Sequence, residues 1–283
     1  MSNSTTVDGI KVILEPSVYL VGGQLVHWSH LEKFHRDHDV SDWMSDTFTA
    51  PQYLVEVAGR LCYMSFAKPR PGGNNAYIRH ILEVGHGSVL EHAVYSLIIT
   101  GVSRSLTHEL VRHRAGMSYS QLSQRYVDES DVAFVLPPAM LDQYEAYQRC
   151  VGSSRHDMPS TVLFAGERLS KWMAHLKNSL VEYQACVEWN ESFFAEPDNT
   201  LRRKQAREAA RSVLPNCTET KIFVTGNARA WRHFLELRGS IHADAEMQRL
   251  ARHVLRVLSE SSPHLFGDYT ITDEGITTPY RKV

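Results

Sequence analysis

Residues 93–114 read AVYSLIITGVSRSLTHELVRHR. Residues 93–103 are rich in β-branched and apolar side chains and make a strand candidate. SLTHELVRHR, which follows, reads as a helix. A strand that turns straight into a helix, with no regular βαβ rhythm elsewhere, decides the class. The expected fold is α+β: helices mixed with a small, mostly antiparallel sheet.

The flanks agree with that class. Upstream, AYIRHILEVGHGSVLEH (76–92) predicts a helix halted at Gly85 or Gly87, after a loop KPRPGGNN at 68–75. SDTFTAPQYLVEVAGRLCYMSF predicts a helix after Pro51, with Leu54, Val57 and Leu61 at helical spacing. IKVILEPSVYL (10–20) reads as a strand broken by Pro16. Downstream, residues 118–127 alternate, and an extended strand there would aim Gln121, Ser123 and Arg125 to one side. Pro137 and Pro138 mark a break, and VGSSRHDMPS (151–160) a polar loop. Leu169, Met173, Leu176, Leu180, Tyr183 and Val187 form one stripe of a long helix. LRRKQAREAARSVLP is a basic helix ended near Pro215, TKIFVTGN is strand-like, and ARAWRHFLELR and ADAEMQRLARHVLRVLSE are helical. No internal repeat interrupts this order, and a single domain over 1–283 is expected.

Composition narrows the function. The chain has 283 residues, 43% hydrophobic and 22% charged, enough for a real core. A net charge of -2 gives no global positive field for nucleic acid. Cys62, Cys150, Cys186 and Cys217 form no CxxC pair, which suits reduced thiols. MSNSTTVDGI lacks the basic and apolar regions of a signal peptide, and no apolar run is long enough for a membrane span. The expected setting is cytoplasmic.

Several chemistries fail on spacing. HELVRH (108–113) is similar to the zincin motif, but its histidines lie five apart. At about 100° per residue they diverge by roughly 140° on a helix, so they do not share an ion, and no metal is expected. No nucleophile elbow, P-loop or G-x-G-x-x-G is present. Arg202, Arg203, Lys204 and Arg207 read as a solvated helix face; Arg211 borders the apolar SVLP and is a candidate to turn inward.

Two polar clusters remain. VRHRAGMSYSQLSQRY (111–126) offers Arg112, His113, Arg114, Gln121, Ser123 and Arg125. Placed on a helix, Arg112 and Arg114 would point about 200° apart and serve two ligands. Guanidinium forks beside uncharged donors suit a nucleotide, a phosphate plus a base edge; a salt-bridged polar hairpin explains them equally. TGNARAWRHFLELRGSIHAD places Asn227, Arg229, His233, Arg238 and His242 close together, with Arg238 after an apolar run. A buried arginine there requires an anionic partner, from a ligand or from the chain itself.

Together these stretches resemble one family. RHRAGMSYSQLSQRY is similar to the signature of the flavin-dependent thymidylate synthases, usually R-H-R, seven residues, then Ser. LVEVAGRLCY, GHGSVLEH, GVSRSLTHELVRHR, LRRKQAREAARSVLPN and TGNARAWRHFLELRGSIHAD resemble that family in its order, over roughly 54–126 and 201–246. The resemblance implies a homotetramer with shared active sites, FAD reduced by NADPH, methylenetetrahydrofolate as carbon donor, and a uracil nucleotide methylated at C5. It implies flavin contacts for His86, Ser88, Glu91, Arg112, His113, Arg114, Asn227, Arg229 and His233. It implies nucleotide contacts for Arg104, Glu109, Gln121, Ser123, Arg125, Arg211 and Arg238, with Arg238 and Ser123 as the catalytic positions. No serine or cysteine nucleophile is expected, and the hard chemistry would belong to the cofactor.

One departure stands out. Eight residues, not seven, separate Arg114 from Ser123. Gly116 is the residue best able to absorb the extra one as a bulge or turn. Because the family includes UMP-methylating members of nucleoside-antibiotic pathways, the shift raises UMP beside dUMP as substrate. The alternative is a flavin- or nucleotide-binding regulatory protein without methylase activity.

Overall fold

The computed structural model describes residues 3–7, 9–40, 43–68, 71–150 and 158–283. The chain begins with β1 (Ser4–Val7), β2 (Ile10–Ile13) and β3 (Ser17–Gly23), then α1 (Trp28–Asp37), α2 (Ala50–Leu61) and α3 (Gly73–Glu83). A 3₁₀ turn at Gly87–His92 leads into β4 (Val94–Ser103), α4 (Arg104–Leu110), β5 (Met117–Gln121) and β6 (Phe134–Val135). α5 (Pro138–Cys150), α6 (Ser160–Phe193), α7 (Asn199–Ala210) and β7 (Glu219–Asn227) follow. α8 (Ala228–Arg238), α9 (Ala245–Ser261), α10 (Pro263–Phe266), β8 (Thr270–Thr272) and β9 (Gly275–Thr277) complete it. Helices and short sheets mix as the α+β reading expects. The chain divides into two compact units, residues 1–17, 100–110 and 121–222, and residues 18–99, 111–120 and 223–283.

The first unit packs a three-stranded sheet, ordered β1-β2-β6, on the long helix α6. β1 and β2 are antiparallel, and β2 pairs parallel to β6 with Val12 opposite Phe134. Ile10, Val12, Phe134 and Leu136 meet Leu169, Met173 and Leu176 in one core. Those three and Tyr183 are the buried members of the expected stripe; Leu180 and Val187 are half-buried. α7 starts where Asp198 Oδ1 accepts the backbone N–H groups of Thr200 and Leu201 at 2.7 and 3.1 Å.

A four-stranded sheet is ordered β3-β4-β7-β5, and the second unit contains most of β3 and β5, residues 94–99 of β4 and residues 223–227 of β7. Tyr95, Leu97, Trp231, Phe234 and Phe266 are fully buried there. The buried face of α2 is not an apolar stripe. Gln52, Glu56 and Arg60 point inward while Leu61 is exposed. The burial is tolerated because every charge is met. Arg60 donates to Glu56 Oε1 through Nε and Nη2 at 2.9 and 2.7 Å, and Asn74 donates to Glu56 Oε2 at 2.8 Å.

Three local expectations change. Arg112, His113 and Arg114 are not helical, because α4 ends at Leu110; their 200° separation does not apply. The strand read over 118–127 ends at Gln121. Ser123 Oγ accepts the Arg125 N–H, and its carbonyl accepts Tyr126 and Val127, so a local turn outcompetes the ladder. α3 starts inside the expected loop at 68–75, since Asp46, far away in sequence, accepts the Asn74 N–H at 2.8 Å. Of the polar loop at 151–160, residues 151–157 lie outside the described residues, as do 69–70 of the loop at 68–75. None of the four cysteines forms a disulfide within the described residues.

Candidate functional site

In the second unit three concavities run into one another. A cleft of about 330 Å³ beside the 3₁₀ turn is lined by His86, Ser88, Tyr63 and Arg229. Arg229 also lines the next, about 510 Å³, with Glu91, Gly116, Asn227, His233 and Glu236. Ala115, Ala230 and His233 are shared with the third, about 390 Å³, which holds Arg112, His113, Arg114 and Arg238. Five sequence segments, 59–63, 81–91, 112–116, 227–238 and 282–283, therefore line one groove. All nine residues given flavin contacts by resemblance line it, together with Arg238.

Local folding explains how each side chain is held. Asn227 ends β7 and caps α8, its Oδ1 accepting the Ala230 N–H at 2.8 Å. That places the α8 N-terminus, with its partial positive charge, at the groove. Arg229, two residues on, pairs with Glu91 at 2.7 Å. Gly116 closes a turn in which the Met117 N–H reaches the Arg114 carbonyl at 3.3 Å. Its φ of +70° is the left-handed conformation that favours glycine, and a Cβ there would lie 2.7 Å from Asn227 Nδ2. The segment that carries the extra residue thus makes a tight turn against the groove.

Arg238 is half-buried at the end of α8, and its Nε donates to His113 Nε2 at 2.9 Å. His113 is thus one partner that the chain itself supplies to Arg238. The His113 ring lies edge-on to Phe234 at 5.5 Å and to His233 at 5.9 Å. Tyr119 donates its hydroxyl to the His113 carbonyl. Burial pushes the Tyr119 phenol up to about 12, with the Arg114 charge opposing.

Arg104, Glu109, Gln121, Ser123, Arg125 and Arg211 belong to the first unit. Gln121 Nε2 donates to Thr107 Oγ1 at 2.9 Å. Arg104 Nη1 donates to the Leu122 carbonyl at 3.3 Å, and burial lowers its pKa, opposed by the Glu129 charge and assisted by Arg211. Arg211 is half-buried, as its apolar neighbours suggest, and Glu109 is half-buried on α4. Arg125 Nε stands 2.7 Å from Glu208 Oε2, charges together without a well-aligned hydrogen bond. Arg125 also lines a cleft of about 540 Å³ with Lys204, Gln205 and Glu208. Arg207 does more than solvate a helix face. It donates to the Tyr126 carbonyl at 2.8 Å and to Asp128 at 3.1 Å, holding the turn that carries Arg125.

Sequence reasoning missed three groups. Arg232 is fully buried, and two of its nitrogens reach the two oxygens of Asp268 at 2.7 and 2.8 Å. The signal was present, since 228, 231, 232 and 235 share one helical face with Ala, Trp and Leu. Glu129, 3% exposed, and Glu219 are buried carboxylates of the first unit. Lys282 and Val283 line the middle cleft of the groove. No local pattern marks either.

The chain matches the family model described as thymidylate synthase complementing protein over residues 44–264. It is 49% identical over 233 residues to a Mycobacteroides abscessus protein named flavin-dependent thymidylate synthase, covering 81% of this chain and 84% of that one. A Mycobacterium tuberculosis protein of the same name is 48% identical over 232 residues, with the same coverage. Among solved structures the chain is similar to a UMP/dUMP methylase from Streptomyces cacaoi bound with 5-Br UMP. The TM-score is 0.59 at 23% identity, over 91% of this chain and 95% of that one, a likeness of fold.

Proposed function

The chain belongs to the thymidylate synthase complementing protein family, and from that premise we propose that it is a flavin-dependent enzyme methylating C5 of a uracil nucleotide. The observation that carries this reading is the continuous groove of the second unit. Its donors suit an elongated dianionic cofactor such as FAD: arginine forks, the N-terminus of α8, and a turn at Gly116 where backbone comes close.

Arg112, His113, Arg114, Asn227, Arg229 and His233 would hold the flavin along the groove, with Glu91 in the middle cleft and His86 and Ser88 at one end. Bound flavin supplies hydride and one-carbon transfer, with NADPH as reductant and methylenetetrahydrofolate as donor. Arg104, Ser123 and Arg125 hold the phosphate and Arg211 the ring, while Glu109 and Gln121 orient the nucleotide. Arg238 places positive charge where the pyrimidine carbonyl gains negative charge as C5 attacks carbon. Its bond to His113 fixes the direction of the guanidinium plane. No covalent bond to the enzyme is required.

The nucleotide is dUMP, with UMP as a second substrate. The extra residue at the Gly116 turn and the UMP/dUMP activity in the name of the Streptomyces neighbour support the second. A pocket that merely tolerates an added hydroxyl discriminates weakly. A homotetramer with shared sites, a role beside nucleoside-antibiotic formation, a cytoplasmic setting and one family domain over 1–283 complete the proposal. The family match takes in stretches of both units. No helix among the described residues is long and apolar enough to cross a membrane.

The test is incubation with NADPH, methylenetetrahydrofolate and either dUMP or UMP, with product mass measured. A mass gain of one methyl group supports the enzyme. Flavin binding without methylation supports a flavin- or nucleotide-binding regulator instead.

A further inference from the structure

The segment Tyr280–Val283 is tied down at each step. The buried Arg232–Asp268 pair is the anchor. Arg232 donates to the Tyr280 carbonyl at 3.4 Å, and Asp268 accepts the Thr278 hydroxyl, whose oxygen accepts the Tyr280 N–H at 3.0 Å. The Lys282 N–H then faces both carboxylate oxygens of Glu236, at 3.1 and 3.3 Å. Lys282 adopts φ +60°, an uncommon conformation for a residue with a Cβ, held by this bond. Val283 is buried. Its carbonyl carbon lies 2.5 Å from where a Cβ on Gly87 would stand, so Gly87 leaves the space that this backbone fills.

Those contacts set Lys282 and Val283 in the wall of the middle cleft, beside Gly116, Asn227, Arg229 and His233. Glu236 lines the same cleft. A bare carboxylate would repel an anionic ligand there; the Lys282 N–H partly neutralises it. Lys282 is exposed and lines this cleft, so its charge is available to an anionic ligand.

We propose that Tyr280–Val283 forms a wall of the flavin groove and that Lys282 is a further cofactor-binding residue. The proposal rests on the flavin reading above. It assigns the segment two tasks: closing the groove beside Gly87 and Arg229, and screening Glu236 from the cofactor phosphates.

The test is titration of FAD followed by flavin fluorescence, with circular dichroism and thermal melting as folding controls. The variants are the chain lacking Lys282 and Val283, and that chain with Glu236→Gln. The shortened chain should melt as the full chain does yet hold FAD about tenfold more weakly, the scale of one charge-assisted hydrogen bond. Glu236→Gln should recover part of that loss. Equal or tighter FAD binding by the shortened chain overturns the wall and leaves the flavin reading intact. No FAD binding by the full chain overturns both. If the shortened chain fails to fold, Lys282→Pro in the full chain removes the N–H that meets Glu236 and cannot hold φ +60°, displacing the same segment. Unchanged FAD retention in that variant overturns the proposal.

Discussion

Arg238 and His113, 125 residues apart in sequence, share a hydrogen bond from Nε to Nε2 at 2.9 Å. The bond joins the last residue of α8 to the centre of the R-H-R stretch. It fixes the guanidinium in the cleft that Arg112, His113 and Arg114 also line. Arg238→Ala should lower methylation by about 10²-fold or more, the scale for losing one preorganised donor. Arg238→Lys should not restore it, because an ammonium lacks the planar fork. Near-normal single-turnover rates in Arg238→Ala would remove the electrostatic role.

Arg112 and Arg114 line the same cleft from non-helical backbone. Arg114→Ala should weaken FAD retention about tenfold with little change in nucleotide affinity. Arg112→Ala should weaken both. Paired titrations of FAD and dUMP against each variant decide this; equal losses of both ligands in Arg114→Ala would end the division of labour.

Gly116→Ala forces a Cβ into the left-handed region and toward Asn227. The expected loss is about 1–2 kcal/mol of stability from the backbone alone, read as a lower urea midpoint. Deleting Gly116 tests selectivity separately. If the ratio of kcat/KM for UMP over dUMP is unchanged, the extra residue does not set sugar preference.

Glu129 gives the first unit a pH signature. Burial, and then the Glu219 charge, push its carboxyl from 4.5 up to about 7, against the opposing charges of Arg104 and Lys221. A pKa higher in the folded than in the unfolded chain means that the folded chain binds the proton more tightly. That stabilisation is complete below pH 4.5 and is lost as pH rises through 7. Glu129→Gln should flatten the decline in melting temperature over that window. An unchanged slope would place the titration elsewhere.

Arg232 and Asp268 form a buried pair in the second unit. Arg232→Ala strands the Asp268 carboxylate and should cost about 3–5 kcal/mol in urea unfolding. A loss under about 1 kcal/mol, the ordinary value of an exposed pair, would show that Asp268 finds other partners.

The sequence by itself determined the class, most of the element order and the family. Runs of β-branched and apolar residues such as 93–103 and the 3.6-residue stripe of α6 are local signals, written wherever a side chain must face a core. The polar stretches that line the groove were also legible, because donor residues were dense in short runs such as RHR and GNARAWRH. Tertiary structure decided what these residues face. Asp46 starts α3 from 28 residues away, and Glu56 makes a buried polar face of α2 acceptable. Gly116 turns the chain against Asn227, and Lys282 reaches Glu236 across 46 residues. A hydrogen bond or an ion pair between distant residues leaves no periodic trace. Its stability arises only after burial removes competing water, and burial is a property of the assembled unit rather than of any stretch of chain.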